Sequence, residues 1–207
     1  MNSTEQLRQI LSRHLPISSI DYCIEIWEKK PFHFTVTRAR KTKLGDFRYR
    51  KDRSIQTITI NGDLNPYQFL LTYIHEVAHL HAFLAYGMKI PPHGSEWKKT
   101  FQFLISPLLR AEIFPKNILI PLSLHMKNPM ASSARDLFLM KEMSKYDKTS
   151  EDCPQVFLSD LKPGIQFELS GRIFKKGETR RTRVLCEEVK TGRKYLIAQL
   201  AKIKPLD

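Results

Sequence analysis

The stretch Phe69-Leu70-Leu71-Thr72-Tyr73-Ile74-His75-Glu76-Val77-Ala78-His79-Leu80 decides how the rest of the chain is read. It is apolar almost throughout, yet it carries two imidazoles and a carboxylate in the order H-E-x-x-H. A helix turns by about 100° per residue, so histidines four apart lie about 40° apart on one face. Both rings then address a single point, as a tetrahedral zinc site requires. Glu76, beside the first histidine, can act as general base on a zinc-bound water. The competing interpretation is a buried helix with two hydrogen-bonded core histidines.

The ends of this helix are marked. Asn65 is an N-cap residue and Pro66 takes the favoured first position. The apolar periodicity runs to about Tyr86, and Gly87 can stop it. Nearly every turn is apolar on more than one side, which predicts burial at the centre of a domain. There, His75, Glu76 and His79 are costly unless something satisfies them.

Working outward, residues 4–13 and 18–29 read as helices. Residues 31–39, 47–50 and 54–61 alternate as strands, with a basic turn at Gly45-Asp46. After the central helix comes a Pro-rich loop (88–94), then a helix from Ser95 that breaks near Pro107. A short helical continuation follows over 108–113, then an irregular connection over 115–130. A helix capped by Ser132 or Ser133 should run to about Lys145. Residues 146–154 are polar and read as a linker. Beyond Gln155, short alternating runs separated by Gly164, Gly171, Gly177 and Gly192 predict four or five strands in a small barrel or sheet. The chain thus reads as α+β: a domain over 1–146, a linker over 147–155, and a small basic β-barrel-like module over 156–207.

Two histidines leave a catalytic zinc site incomplete, since such sites have three protein ligands and one open position. The candidates after the helix are His81, His93, Glu96, Glu112 and His125. His81 lies about 200° around the helix from His79 and points away. A metzincin needs glycine at 82 and histidine at 85; both positions are alanine. Glu96 or Glu112 would suit a carboxylate returned by a later helix. His93 is better placed, at a loop-to-helix junction, where Gly94 permits a bend and Trp97 can wedge the next helix against the first.

His75-Glu76-Val77-Ala78-His79, followed by His93-Gly94-Ser95-Glu96-Trp97, resembles the SprT-like zinc metallopeptidase domain, whose eukaryotic relatives are the Spartan proteases. That family pairs H-E-x-x-H with a downstream H-G-x-x-[FW]. The basic stretch from Arg38 to Arg53, with Lys43-Leu44-Gly45-Asp46, looks like the family's β-hairpin before the active-site helix. The resemblance covers roughly residues 5–145. It implies a zincin-like domain, one Zn²⁺ held by His75, His79 and His93, Glu76 as catalytic base, and substrates that are DNA-bound or DNA-crosslinked proteins, hence DNA repair. Several bacterial members end in a four-cysteine zinc ribbon. Here the tail holds only Cys153 and Cys186, so a second, structural zinc is not expected.

Composition bears on the partner. The formal charge is +13 over 207 residues, which favours polyanions. Residues 38–53 hold eight basic residues against two acids, and residues 160–207 hold twelve against six. Arg38, Arg40, Lys41, Lys43, Arg48 and Arg50 in the first cluster, and Arg180, Arg181 and Arg183 in the second, are the candidate contacts to DNA phosphates. Phe47, Tyr49 and Phe174 are interleaved and could stack bases. No apolar run reaches membrane-spanning length and no secretory signal is visible, so a cytoplasmic protein with reduced thiols is expected, a location compatible with association with the nucleoid. Tyr73, Tyr86 and nearby arginines are candidates for a second oxyanion donor. Two rival functions stay open: a non-enzymatic nucleic-acid-binding protein with a structural zinc, and a cytosolic peptidase indifferent to DNA. Oligomeric state and cleavage specificity do not follow from the residues.

Overall fold

The fold is taken from a computed structural model, which describes residues 3–40, 43–130, 136–147 and 156–206. The chain divides into two compact units, Met1–Ala131 with Glu142–Asp147, and Ser132–Lys141 with Lys148–Asp207. The expected linker falls almost entirely outside the described residues, as do Lys41, Cys153 and the Ser132 and Ser133 cap candidates.

The first unit opens with α1 (Ser3–Ser12) and α2 (Ile20–Lys29), then β1 (His33–Thr37), β2 (Gly45–Arg48) and β3 (Thr57–Asn61). The sheet order is β1-β3-β2, with β1 parallel and β2 antiparallel to β3. β3 is therefore the central strand, and Ile58 and Ile60 are fully buried. Gly45-Asp46 lies inside β2 rather than in a turn, because Gly45 pairs with Ile60. Asn61, 1% exposed, ties the preceding basic segment down: its Nδ2 donates to the carbonyls of Arg40 (3.1 Å) and Lys43 (3.0 Å).

The central helix, α3, runs Pro66–Tyr86. Asn65 caps it as expected, its Oδ1 accepting from the amides of Tyr67 (3.1 Å) and Gln68 (3.0 Å). Gly87 ends it at φ +75°, a conformation that favours glycine. Phe69, Tyr73, Ile74 and Val77 are wholly buried, so α3 is the axis of this unit's core.

α4 (Ser95–Ile105) follows, with Trp97, Phe101, Leu104 and Ile105 inward. The continuation expected over 108–113 is one 3₁₀ turn at Ser106–Leu108 followed by turns. Where an irregular connection was expected, α5 (Lys116–His125) forms around an internal Pro121. Ile118, Pro121, Leu122 and His125 are buried at helical spacing, and that apolar face outweighs the one hydrogen bond proline removes. α6 (Leu137–Ser144) is shorter than expected, and its first turn is capped by Asp136, whose Oδ1 accepts from Leu139 N–H at 3.1 Å.

The second unit is built on β4 (Val156–Phe157), β5 (Gln166–Leu169), β6 (Arg172–Arg180), β7 (Arg183–Glu188), β8 (Lys194–Ala198) and β9 (Lys202–Leu206). The order β4-β9-β5-β6-β7-β8 is antiparallel throughout. Gly164, Gly171 and Gly192 make the expected turns at positive φ. Gly177 does not separate strands: it sits inside β6 at a register shift, where an added Cβ would lie 2.6 Å from the Leu185 carbonyl. Phe167, Phe174, Val184 and Ile203 form this unit's core.

Candidate metal centre

His75 and His79 project from one face of α3, as the four-residue spacing requires. The loop after Gly87 returns His93 to the same place. The three Nε2 atoms lie 3.2 Å (His75–His79), 3.0 Å (His79–His93) and 3.3 Å (His75–His93) apart. An Nε2 carries either a proton or a lone pair, so three that face one another cannot all be satisfied by mutual hydrogen bonds. A cation satisfies all three at once. Three nitrogens held tetrahedrally by an ion about 2.0–2.1 Å away are about 3.3 Å from one another, so the triangle fits. Among the described residues, this cluster of three histidines could hold a metal ion.

The imidazoles are prepared as ligands. Burial holds His75 well below its ordinary pKa, with His79, His93 and His125 adding to the effect. Burial, then His93, brings His79 down to about 4, and burial lowers His93. All three are therefore neutral at pH 7, with lone pairs free.

Trp97 backs the site. Its ring lies 4.7 Å from His75, 5.3 Å from His79 and 4.7 Å from His93 by centroids, and it is fully buried. Its Nε1 donates to the His75 carbonyl at 3.4 Å. The wedge expected from the sequence is thus also the floor under all three rings. Gly94 acts differently from the expectation. Its backbone is extended at φ −71°, ψ −172°, so no glycine-only bend is needed; instead an added Cβ would press on Pro91 at 3.3 Å.

Glu76 is 7% exposed and faces β2. Burial pushes its carboxyl up to about 8, opposed by the Phe47 amide that donates to it; Asp46 raises it further, and Arg40 and Lys43 lower it. Gly45 makes room for this side chain. A Cβ there would stand 2.8 Å from Glu76 Oε1 and 2.7 Å from Thr72 Cγ2. Sequence reading missed Gly45, because a close approach between strand and helix leaves no mark in local periodicity.

The remaining candidates are dispersed. His81 is outside the cluster; its Nε2 is buried without a partner among the described residues, and burial, then Lys30, brings its pKa down to about 4. Tyr73 donates its hydroxyl to the Cys23 carbonyl at 3.2 Å inside the core, while Tyr86 is 54% exposed at the end of α3. In the basic segment, Arg40 is turned inward to Asn61 (2.7 Å) and Thr59 (3.1 Å). Asp46 pairs with both Lys43 (2.8 Å) and Arg48 (2.5 Å), and Asp52 pairs with Arg50 (3.1 Å). Arg38 is exposed and carries no ion pair among the described residues. Phe174 is no base-stacking platform: it is 3% exposed, packed on Phe167 at 5.7 Å.

The β6–β7 turn keeps its charge. Arg180 and Arg183 stand directly opposite each other, and Arg181 between them has φ +43°. Gln199 Nε2 pins the Arg181 carbonyl at 2.7 Å. Like charges opposed across strands, and a non-glycine residue at positive φ, both cost stability.

No helix among the described residues is long and apolar enough to cross a membrane. Residues 21–112 match the model of the SprT-like family. No curated protein and no solved structure matches the chain. The matched span holds both halves of the motif pair and every residue of the histidine cluster, and residues 21–112 are on that basis similar to the SprT-like family.

Proposed function

We propose that the first unit is a zincin-like zinc metalloendopeptidase. The observation that carries this reading is the convergence of three Nε2 atoms within 3.3 Å of one another, with Glu76 buried on the helix that carries two of them. His75, His79 and His93 would hold one Zn²⁺. When bound, zinc supplies Lewis-acid polarisation of a scissile carbonyl and acidifies water. Glu76 takes the proton of the attacking water on its carboxylate and returns it to the nitrogen of the leaving amine. The Phe47 amide fixes the carboxylate in place. β2 is the edge of its sheet, so an extended polypeptide can align along it next to Glu76. Metal-loaded protein should cleave an unfolded protein substrate and lose that activity to a chelator. Retained cleavage without metal would end this reading.

Gly45→Ala tests the positioning. The added methyl displaces Glu76 without touching a metal ligand. The expected result is unchanged zinc content with cleavage reduced about 10- to 100-fold, the scale of a small misplacement of a catalytic group. Unchanged cleavage would remove Gly45 from the account.

For the substrate we infer proteins bound or crosslinked to DNA, handled at the nucleoid in a reducing cytoplasm. The charge of +13 supports a polyanionic partner, and so does the costly arginine turn at 180–183. Replacing Arg180, Arg181 and Arg183 by Gln should weaken binding of single-stranded DNA. It should also flatten the salt dependence by about two in slope, at about 0.7 per phosphate contact. A slope that stays the same would exclude this turn. Cleavage and binding indifferent to DNA and salt would favour an ordinary cytosolic peptidase.

A further inference from the structure

The face of α3 that carries the histidines does not end at His79. Phe83 lies four residues on, about 40° around the helix, and Tyr86 seven on, about 20° to the other side. They continue the face about 6 Å and about 10 Å beyond His79. On one flank stands β2 and the residue after its end. The Tyr49 ring packs on Phe83 at 4.5 Å, and Phe47, whose amide reaches Glu76, packs on it at 6.0 Å. On the other flank the loop from Gly87 starts at the end of α3 and must return to bring His93 within 3.0 Å of His79. Met88 is the first residue of that loop after Gly87, two positions past Tyr86.

These side chains are open to solvent. Tyr49 is 37% exposed, Tyr86 54% and Met88 66%. A cluster of large apolar groups continuous with a catalytic face, rimmed by the paired Arg48 and Arg50, has the make-up of a binding site.

We propose that Phe83, Tyr49, Tyr86 and Met88 form a subsite that takes one aromatic or large aliphatic side chain of the polypeptide substrate, next to the bond that is cut. The inference rests on the peptidase reading. It makes that reading more specific: the substrate is an extended or unfolded segment that displays an apolar residue. Such residues are inside folded proteins, so unfolding exposes them for capture. Phe83 sets the floor and the three exposed groups close around the guest.

The test separates binding from turnover. Zinc-loaded Glu76→Gln protein is titrated with fluorescein-labelled, Gly/Ser-rich peptides that differ only in one central residue, Phe, Leu, Ser or Asp. Fluorescence anisotropy gives the affinity. Phe and Leu peptides are expected to bind about tenfold or more tightly than Ser or Asp peptides, the share of a partly buried large side chain. Substituting Tyr49, Tyr86 and Met88 together by Ser on the Glu76→Gln background alters only exposed side chains and should erase the preference. Equal affinities for all four peptides, absence of binding by any of them, or a preference that survives the triple substitution would overturn the proposal. Cleavage of the same peptides by the protein with Glu76 intact is followed in parallel. Cleavage without side-chain preference sinks the subsite and leaves the peptidase standing. Preferential binding without any cleavage does the reverse.

Discussion

Glu76→Gln is expected to abolish proteolysis while leaving the metal in place. A positioned general base contributes about 10²–10⁴ in rate, and glutamine cannot accept the proton. The substitution keeps the volume of the side chain and all three imidazoles, so zinc content should stay at its level in the unaltered chain. A second readout comes from the titration of the carboxyl. In the metal-free chain burial holds Glu76 at about 8, so at pH 7 it keeps its proton. His75 and His79 are already deprotonated there, since both are shifted downward. A doubly charged ion beside the carboxyl favours its ionised form. Zinc binding at pH 7 should therefore expel about one proton, and that release should fade as pH rises past about 8. The Glu76→Gln chain should release less, since only a zinc-bound water is left to supply a proton. Calorimetry of zinc binding in two buffers of different ionisation enthalpy measures the difference. Equal proton release from both chains would contradict the assignment, and full proteolysis by Glu76→Gln would remove the base from the mechanism. Zinc retained with no cleavage by either chain would point to a nucleic-acid-binding protein with a structural zinc.

His93→Ala is expected to cost the metal itself. Losing a mere supporting partner of a ligand costs about 10–100-fold in affinity, so losing one of three ligands should cost more than about 100-fold. His93 lies in a loop and is half-buried, so the metal-free fold should survive its loss. The unaltered chain should melt at higher temperature when zinc is added, since a ligand that binds only the folded state stabilises it by mass action. The His93→Ala chain should show no such rise. An equal rise in both would place the third ligand elsewhere, with Glu96, Glu112 and His125 as the alternatives weighed from the sequence.

The parts legible in the sequence were those with local signatures. Asn65-Pro66 and Gly87 bracket α3 because caps and stops act within one turn. His75 and His79 fall together because helical spacing is fixed, and His93 is marked by the glycine and tryptophan that follow it. What escaped depends on distant parts of the chain. Gly45 is needed only because Glu76 and Thr72 pack against it. Pro121 argued against a helix that the apolar face of α5 holds together. β9 contains Pro205 and so reads poorly as a strand. It is accommodated because β4 pairs only with Lys202 and Ile203, which leaves Pro205 with β5 alone. The two basic clusters looked alike as composition. In the fold, Asp46, Asp52 and Asn61 engage Arg40, Lys43, Arg48 and Arg50 of the first, while the turn at Arg180–Arg183 remains unneutralised among the described residues.

The claim on which everything else depends is that His75, His79 and His93 hold one zinc ion. Elemental analysis of the purified protein tests it most directly. The expected result is about one zinc per chain, removed by a chelator together with the proteolytic activity. Protein that is folded, carries no zinc and takes up none when zinc is supplied would contradict the account.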